Sequence, residues 1–385
     1  MINFEKIAKE YGTPTFIYDV SKLKKRISYL KENLPKNINL VYAVKANTFI
    51  IKELEKDVER FEICSKGEFD ICNKLNIDYK KMVISGVNKD DASIDEMISN
   101  YEIGKYTIES VNQYRLLKEK CEKYNRNINV LIRLTSGNQF GVNEEEAINI
   151  LKDNHELINV SGFEYFSGTQ KHSIKKINKE IDYLVEFVNK VEKELKINIE
   201  ELEYGPGFPV YYFQDDEFVE DEFLKEVSIA LEKIKNKKVS LELGRSIAAS
   251  CGYYLTKVVD MKTNKNGNHI ILDGGINHLV YYGQTMAMRI PKYKLLPDKE
   301  DTEETYNLYG SLCTINDIII KSLKTRKLEI GDLFVFENVG AYSITEGIAL
   351  FLSRDMPKVI LYDETNEPKL IRNTIKASEI NCPKY

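Results

Sequence analysis

Short apolar runs alternate with amphipathic stretches from about residue 38 to residue 243. The strand-like runs are 38–44 (INLVYAV), 61–64 (FEIC), 82–87 (MVISGV) and 105–110 (KYTIES), then 128–134 (INVLIRL), 158–166 (INVSGFEYF), 200–205 (EELEYG) and 238–243 (KVSLEL). The stretches between them carry helical spacing. In the charged segment 175–196, Ile181, Leu184, Val185, Val188, Val191 and Leu195 recur at steps of three and four, which places them on one helix face. Eight strands alternating with helices predict an α/β fold, a parallel (β/α)₈ TIM barrel. A doubly wound open sheet fits less well, because it has fewer strands and an early GxGxxG, absent here. After Arg245 the pattern turns β-rich, at 253–262 (YYLTKVVDMK), 269–275 (HIILDGG) and 331–339 (GDLFVFENV). Asn266-Gly267 between the first two is a hairpin signal. Residues 14–18 (PTFIY) read as a further strand of the same part. The expected division is a barrel over 25–245 and an antiparallel β domain from 1–24 plus 246–385.

Composition narrows the function. Among 385 residues the net charge is −5, so no basic excess exists to neutralise phosphates and no nucleic-acid partner is expected. No run of about 18 apolar residues appears, so no membrane span is expected. Met1 to Lys6 lacks the basic-then-apolar order of a signal peptide, and six scattered cysteines without a CxxC pair read as reduced thiols. Both observations predict a cytoplasmic protein. Four scattered histidines predict no metal site.

A barrel enzyme works at the C-terminal ends of its strands. At those ends stand Lys45, Glu62 with Ser65, Arg133, Ser167-Gly168-Thr169, Gly205-Pro206-Gly207 and Glu242-Leu243-Gly244-Arg245. Glycine loops offer backbone N–H groups to a phosphate, and a lysine can bind a carbonyl group covalently. A carboxylate such as Glu242 can keep a pyridine nitrogen protonated, which makes the ring an electron sink. Together these are the requirements of pyridoxal 5'-phosphate.

The motifs themselves carry a resemblance. Tyr42-Ala43-Val44-Lys45-Ala46-Asn47 resembles the lysine motif of the barrel-type (fold type III) decarboxylases acting on diaminopimelate, ornithine and arginine. FEICSKGE (61–68), GFEYFSGTQ (162–170), GPG (205–207), ELGR (242–245), DGG (273–275), GSLC (310–313) and GAY (340–342) are similar to further motifs of that family, in the same order along nearly the whole chain. The resemblance implies that Lys45 holds the cofactor and Glu242 pairs with its pyridine nitrogen. Thr169, Gly207, Gly244, Arg245 and Tyr342 would surround the phosphate. Glu62, Arg133, Phe166 and Gly205 complete the expected cofactor shell. Cys313, supplied by the partner in a homodimer with shared active sites, would protonate the carbanion left after carbon dioxide departs.

Three departures from the family pattern bear on the substrate. Phe166 stands where a ring-stacking histidine is usual, and Glu164 replaces the earlier histidine of that stretch. Thr314 follows Cys313 where an acid is common, and is the expected substrate-contacting residue. GNQFG (137–141), GTQ (168–170), Cys313-Thr314 and Phe351-Leu352-Ser353 together resemble the branch that decarboxylates amino acids tethered to carrier proteins. An L-amino acid held as a carrier thioester is therefore the expected substrate. Free meso-diaminopimelate or another basic amino acid is the alternative. Arg289, Lys292 and Lys294 offer a basic patch for an acidic carrier, or an ordinary solvated face. Racemisation is a competing reaction, but there an arginine faces the pyridine nitrogen. A homologue without catalysis is the third reading; intact Lys45, Glu242, Arg245 and Cys313 oppose it.

Overall fold

The structure, a computed structural model, describes residues 2–365 and 367–384. It divides into two compact units: residues 27–209 with 219–247, and residues 1–26, 210–218 and 248–385. Strand β1 (Thr15–Asp19) belongs to the second of these. The next eight strands form the first: β2 (Ile38–Ala43), β3 (Arg60–Ile63), β4 (Met82–Ile84), β5 (Lys105–Ile108), β6 (Ile128–Leu134), β7 (Ile158–Phe166), β8 (Glu201–Gly205) and β9 (Lys238–Leu243). They are hydrogen-bonded in that order and closed by parallel pairing of β9 with β2.

Side chains alternate across each barrel strand. In β8, Leu202 and Tyr204 are buried, and between them Glu201 and Glu203 reach Arg60 of β3. The interior is thus ionic rather than filled with the branched aliphatics common in such barrels. Arg60 donates to Glu203 at 2.7 Å, Glu201 at 3.3 Å and Ser240 at 3.0 Å. Lys105 donates to Ser161 at 2.7 Å and lies 3.2 Å from Glu201. Burial raises the Glu203 carboxyl to about 7 against the pull of Arg60.

The helix Ile174–Leu195 is capped by Ser173, whose side chain accepts from the Lys176 N–H. Ile177, Ile181, Leu184, Phe187, Val188 and Val191 are its buried apolar residues, and Glu180 is buried on the same face. Of the apolar residues expected on that face, Val185 and Leu195 are only half-buried.

The second unit holds β1 and eight later strands: β10 (Gly252–Asn264), β11 (Gly267–Leu272), β12 (Tyr293–Leu296), β13 (Glu303–Tyr309), β14 (Ile318–Arg326), β15 (Leu333–Glu337), β16 (Lys358–Tyr362) and β17 (Lys369–Arg372). The sheet is mixed rather than wholly antiparallel. β1 pairs parallel with β16, and β11 with β13, while the other six ladders among the described residues are antiparallel. Both parallel partners are far apart in sequence, so no hairpin turn dictates their direction. β10 and β11 form the expected hairpin; its turn is Lys265-Asn266, and Gly267 follows at φ +110°. A helix not anticipated, Phe4–Tyr11, lays Phe4 and Ile7 on a core with Ile17, Leu255, Val335 and Ile360. No helix among the described residues is long and apolar enough to cross a membrane.

Candidate active site

Lys45 lies in a 3₁₀ turn, Val44–Ala46, just beyond β2. Its Nζ donates to Glu62 Oε2, lies 3.4 Å from Glu242 Oε1, and lies 3.6 Å from Cys64 Sγ. The Cys64 thiol donates to the other Glu62 oxygen at 2.8 Å. Both carboxylates are buried, whereas the lysine side chain is 39% exposed at the rim. Burial pushes both carboxyls up. For Glu62 the Lys45 ammonium and the Cys64 hydrogen bond outweigh it, and the carboxyl ends below its usual value. For Glu242 the negative Glu62 adds to burial, and the carboxyl ends above it. Sequence alone also allowed a structural pair of Glu242 with Arg245; the ion pair described here is with Lys45.

Arg133 ends the neighbouring wall. It donates to Glu109 at 3.1 Å, its Nε lies 3.4 Å from Glu164, and its guanidinium lies 4.8 Å from the centre of the Phe140 ring. Burial disfavours its charge, but Glu164 and Glu109 more than restore it. Glu164 is fully buried, and neither of its oxygens has a hydrogen-bond partner. Burial raises this carboxyl well above the usual carboxylate range against the pull of Arg133. Lys89, in the loop after β4, donates to the Gly86 carbonyl at 2.9 Å and to Gln113 at 3.2 Å; burial lowers it to about 8. The sequence reading passed over Glu109 and Lys89. Glu109 directly follows β5, so the rule that selected Glu62 and Glu242 would have selected it too.

Two glycine loops meet beside this cluster. A Cβ on Gly207, at φ +60°, would lie 2.1 Å from the Gly168 carbonyl oxygen and 3.1 Å from Thr169 Cα. A Cβ on Gly205 would lie 2.4 Å from the Phe166 ring, so that ring rests on the Gly205 backbone. The Lys171 N–H donates to the Gly207 carbonyl at 2.9 Å. Gly244 accepts from the Ile247 N–H at 3.2 Å, opening the short helix Arg245–Ala248. Lys45, Glu62 and Glu242 are thus brought together, as are Phe166, Thr169, Gly205 and Gly207.

Cys313, Thr314 and Tyr342 belong to the β-rich unit. Cys313 is exposed on the loop between β13 and β14. Asp317 fixes that loop by accepting the Leu312 N–H at 2.7 Å and the Ile276 N–H at 2.8 Å. Tyr342 adopts φ +64° and its carbonyl accepts from the Thr345 and Glu346 N–H groups. The proposed basic patch is largely neutralised: Arg289 donates to Asp215 and Asp216 at 2.7 Å each, and Lys294 lies 3.2 Å from Glu337.

Residues 20–249 match the family described as pyridoxal-dependent decarboxylase, pyridoxal binding domain. The chain is 26% identical over 361 residues to diaminopimelate decarboxylase of Vibrio cholerae, covering 88% of this chain and 85% of that one. It is 24% identical to L-glutamyl-(BtrI acyl-carrier protein) decarboxylase of Niallia circulans, covering 97% of this chain and 94% of that one. A crystal structure of diaminopimelate decarboxylase from M. jannaschii with L-lysine has the same fold, with a TM-score of 0.86 at 24% identity, covering 98% of this chain and 93% of that one.

Proposed function

The chain belongs to the pyridoxal-dependent decarboxylases, and on that premise we propose that it removes the α-carboxyl group of an L-amino acid whose far end carries no ammonium, such as an aminoacyl thioester on a carrier protein. The observation that carries the site assignment is Lys45 at the barrel rim between two buried carboxylates, Glu62 and Glu242. The residues fit pyridoxal phosphate. Buried Glu242 shares the Lys45 ammonium with Glu62, so a protonated pyridine nitrogen would add positive charge beside a carboxylate that burial disfavours. A Cβ on Gly207 would meet the Gly168 carbonyl oxygen, so glycine is what lets the two loops approach this closely.

The bound cofactor supplies an electron sink for the pair left on the α-carbon when carbon dioxide leaves. Lys45 would hold it through Nζ. Glu242 would keep a proton on the pyridine nitrogen, a role for a carboxylate that favours decarboxylation over racemisation. Phe166 offers a ring face with no hydrogen-bonding atom. Thr169, Gly207, Gly244 and Arg245 would hold the phosphate. Cys313, from the partner of a homodimer, returns a proton to the α-carbon, and its exposure on a loop supports that reach.

Thr314 supports an uncharged distal group. An ammonium buried without an anionic partner costs on the order of several kcal/mol, and a threonine hydroxyl supplies no charge. Diaminopimelate is the second reading, favoured by the activity named for the Vibrio cholerae relative. The deciding measurement is kcat/KM for free diaminopimelate, lysine and ornithine against a γ-glutamyl or similar aminoacyl carrier thioester. Turnover of a free diamino acid with none of the thioester overturns the carrier reading.

A further inference from the structure

Behind the two glycine loops lies a buried ion pair with no part in the chemistry above. Lys171 and Glu180 have side chains only 3% and 7% exposed, and their Nζ–Oε2 distance is 2.7 Å. Lys171 reaches the Gly205-Pro206-Gly207 loop twice. Its backbone N–H donates to the Gly207 carbonyl at 2.9 Å, and its Nζ donates to the Gly205 carbonyl at 3.3 Å. Glu180 takes two further donors. The Ser167 hydroxyl, at the start of the other loop, donates to Oε1, and the Tyr204 hydroxyl, just before Gly205, donates to Oε2 at 2.6 Å. One carboxylate on the helix Ile174–Leu195 thus fixes the start of one loop and, through Lys171, both glycine carbonyls of the other.

We propose that Glu180 and Lys171 are positioning residues that set the spacing of the Ser167–Lys171 and Gly205–Gly207 loops, and so the fit of the cofactor's phosphate ester. The inference rests on the placement of the phosphate at these loops. Packing alone does not call for this pair, since apolar residues of similar volume usually fill such a place at no loss of stability. The ion pair adds direction: it fixes the Gly205 and Gly207 carbonyls, and Gly207 has no slack, since a Cβ there would lie 2.1 Å from the Gly168 carbonyl oxygen.

The test uses the full chain, freed of cofactor, and measures binding of pyridoxal phosphate and of pyridoxal by fluorescence quenching. Lys171→Met is paired with the double variant Lys171→Met/Glu180→Met, which leaves no lone buried charge to unfold the loop. Both should bind pyridoxal phosphate roughly ten- to a hundredfold more weakly than wild type. Pyridoxal binding should stay within about twofold. Variants that keep the wild-type preference for the phosphorylated form overturn the positioning role alone. Equal weakening of both ligands also overturns it, because it marks a general loss of structure. A wild-type protein that binds the two equally overturns the phosphate placement and this inference with it.

Discussion

His278 makes the stability of the β-rich unit depend on pH. It is 3% exposed; its Nδ1 accepts from the Tyr254 hydroxyl at 2.9 Å, and its Nε2 donates to the Asp355 carbonyl at 3.0 Å. Burial lowers it to about 4 from the usual 6.5, with the Asp355 carbonyl opposing and Arg372 assisting. The unfolded chain therefore takes up this proton first. The stabilisation is complete above about pH 6.5 and is lost as pH falls towards 4. At about 1.4 kcal/mol per pH unit, the whole interval is worth about 3 kcal/mol, and about 2 kcal/mol is gone by pH 5. Buried carboxyls such as Glu164 and Glu242, raised above their usual values, act in the opposite direction, so wild type alone is not diagnostic. The assay is urea unfolding at pH 7.5 and pH 5 for wild type and His278→Gln. Wild type should lose about 2 kcal/mol more than the variant over that interval. Equal losses, or an NMR titration placing His278 near 6.5, refute the reasoning.

Lys45→Ala should abolish turnover and the visible absorbance of covalently held cofactor; borohydride trapping on a different lysine in wild type would show the assignment to be wrong. Gly207→Ala combines a left-handed backbone with the clash at the Gly168 carbonyl, and should weaken cofactor binding by about 2–3 kcal/mol in an equilibrium titration. Mixing inactive Lys45→Ala and Cys313→Ala chains should restore part of the activity through hybrid dimers, and no recovery despite proven exchange would exclude shared sites. Because burial disfavours the Glu164 carboxylate and neither of its oxygens accepts a hydrogen bond, Glu164→Gln should lower thermal stability at pH 7 by less than about 1 kcal/mol, as calorimetry can check.

The barrel was legible because each of its strands is a short apolar run bounded by polar turns, and β2 to β9 fall within two residues of the expected limits except β4, which ends three residues early. Lys45, Glu62 and Glu242 were legible for a positional reason, since each sits at or just past a strand end. Glu180 was hidden by its surroundings: among the lysines and glutamates of 175–196 it reads as one more solvated charge. Its register beside Ile177, Ile181 and Leu184 was the available signal, an acid on the buried stripe. β12, β13, β14, β16 and β17 escaped, most of them because they are short or interleaved with charged residues. The helix Phe4–Tyr11 escaped because it is only eight residues long.

The charged barrel interior constrains how this sequence can drift. Arg60 serves Glu201, Glu203 and Ser240 at once, so no one of them can be exchanged for an aliphatic residue in isolation. Losing Arg60 alone strands Glu203 in the interior and leaves Glu201 to Lys105, a defect on the order of 3–5 kcal/mol, while replacing these four together with Lys105 by aliphatics gives an ordinary apolar layer. A path between the two interiors crosses a valley of poorly folded intermediates. Related chains should therefore carry this set whole or not at all, and pairs of substitutions within it should depart strongly from additivity.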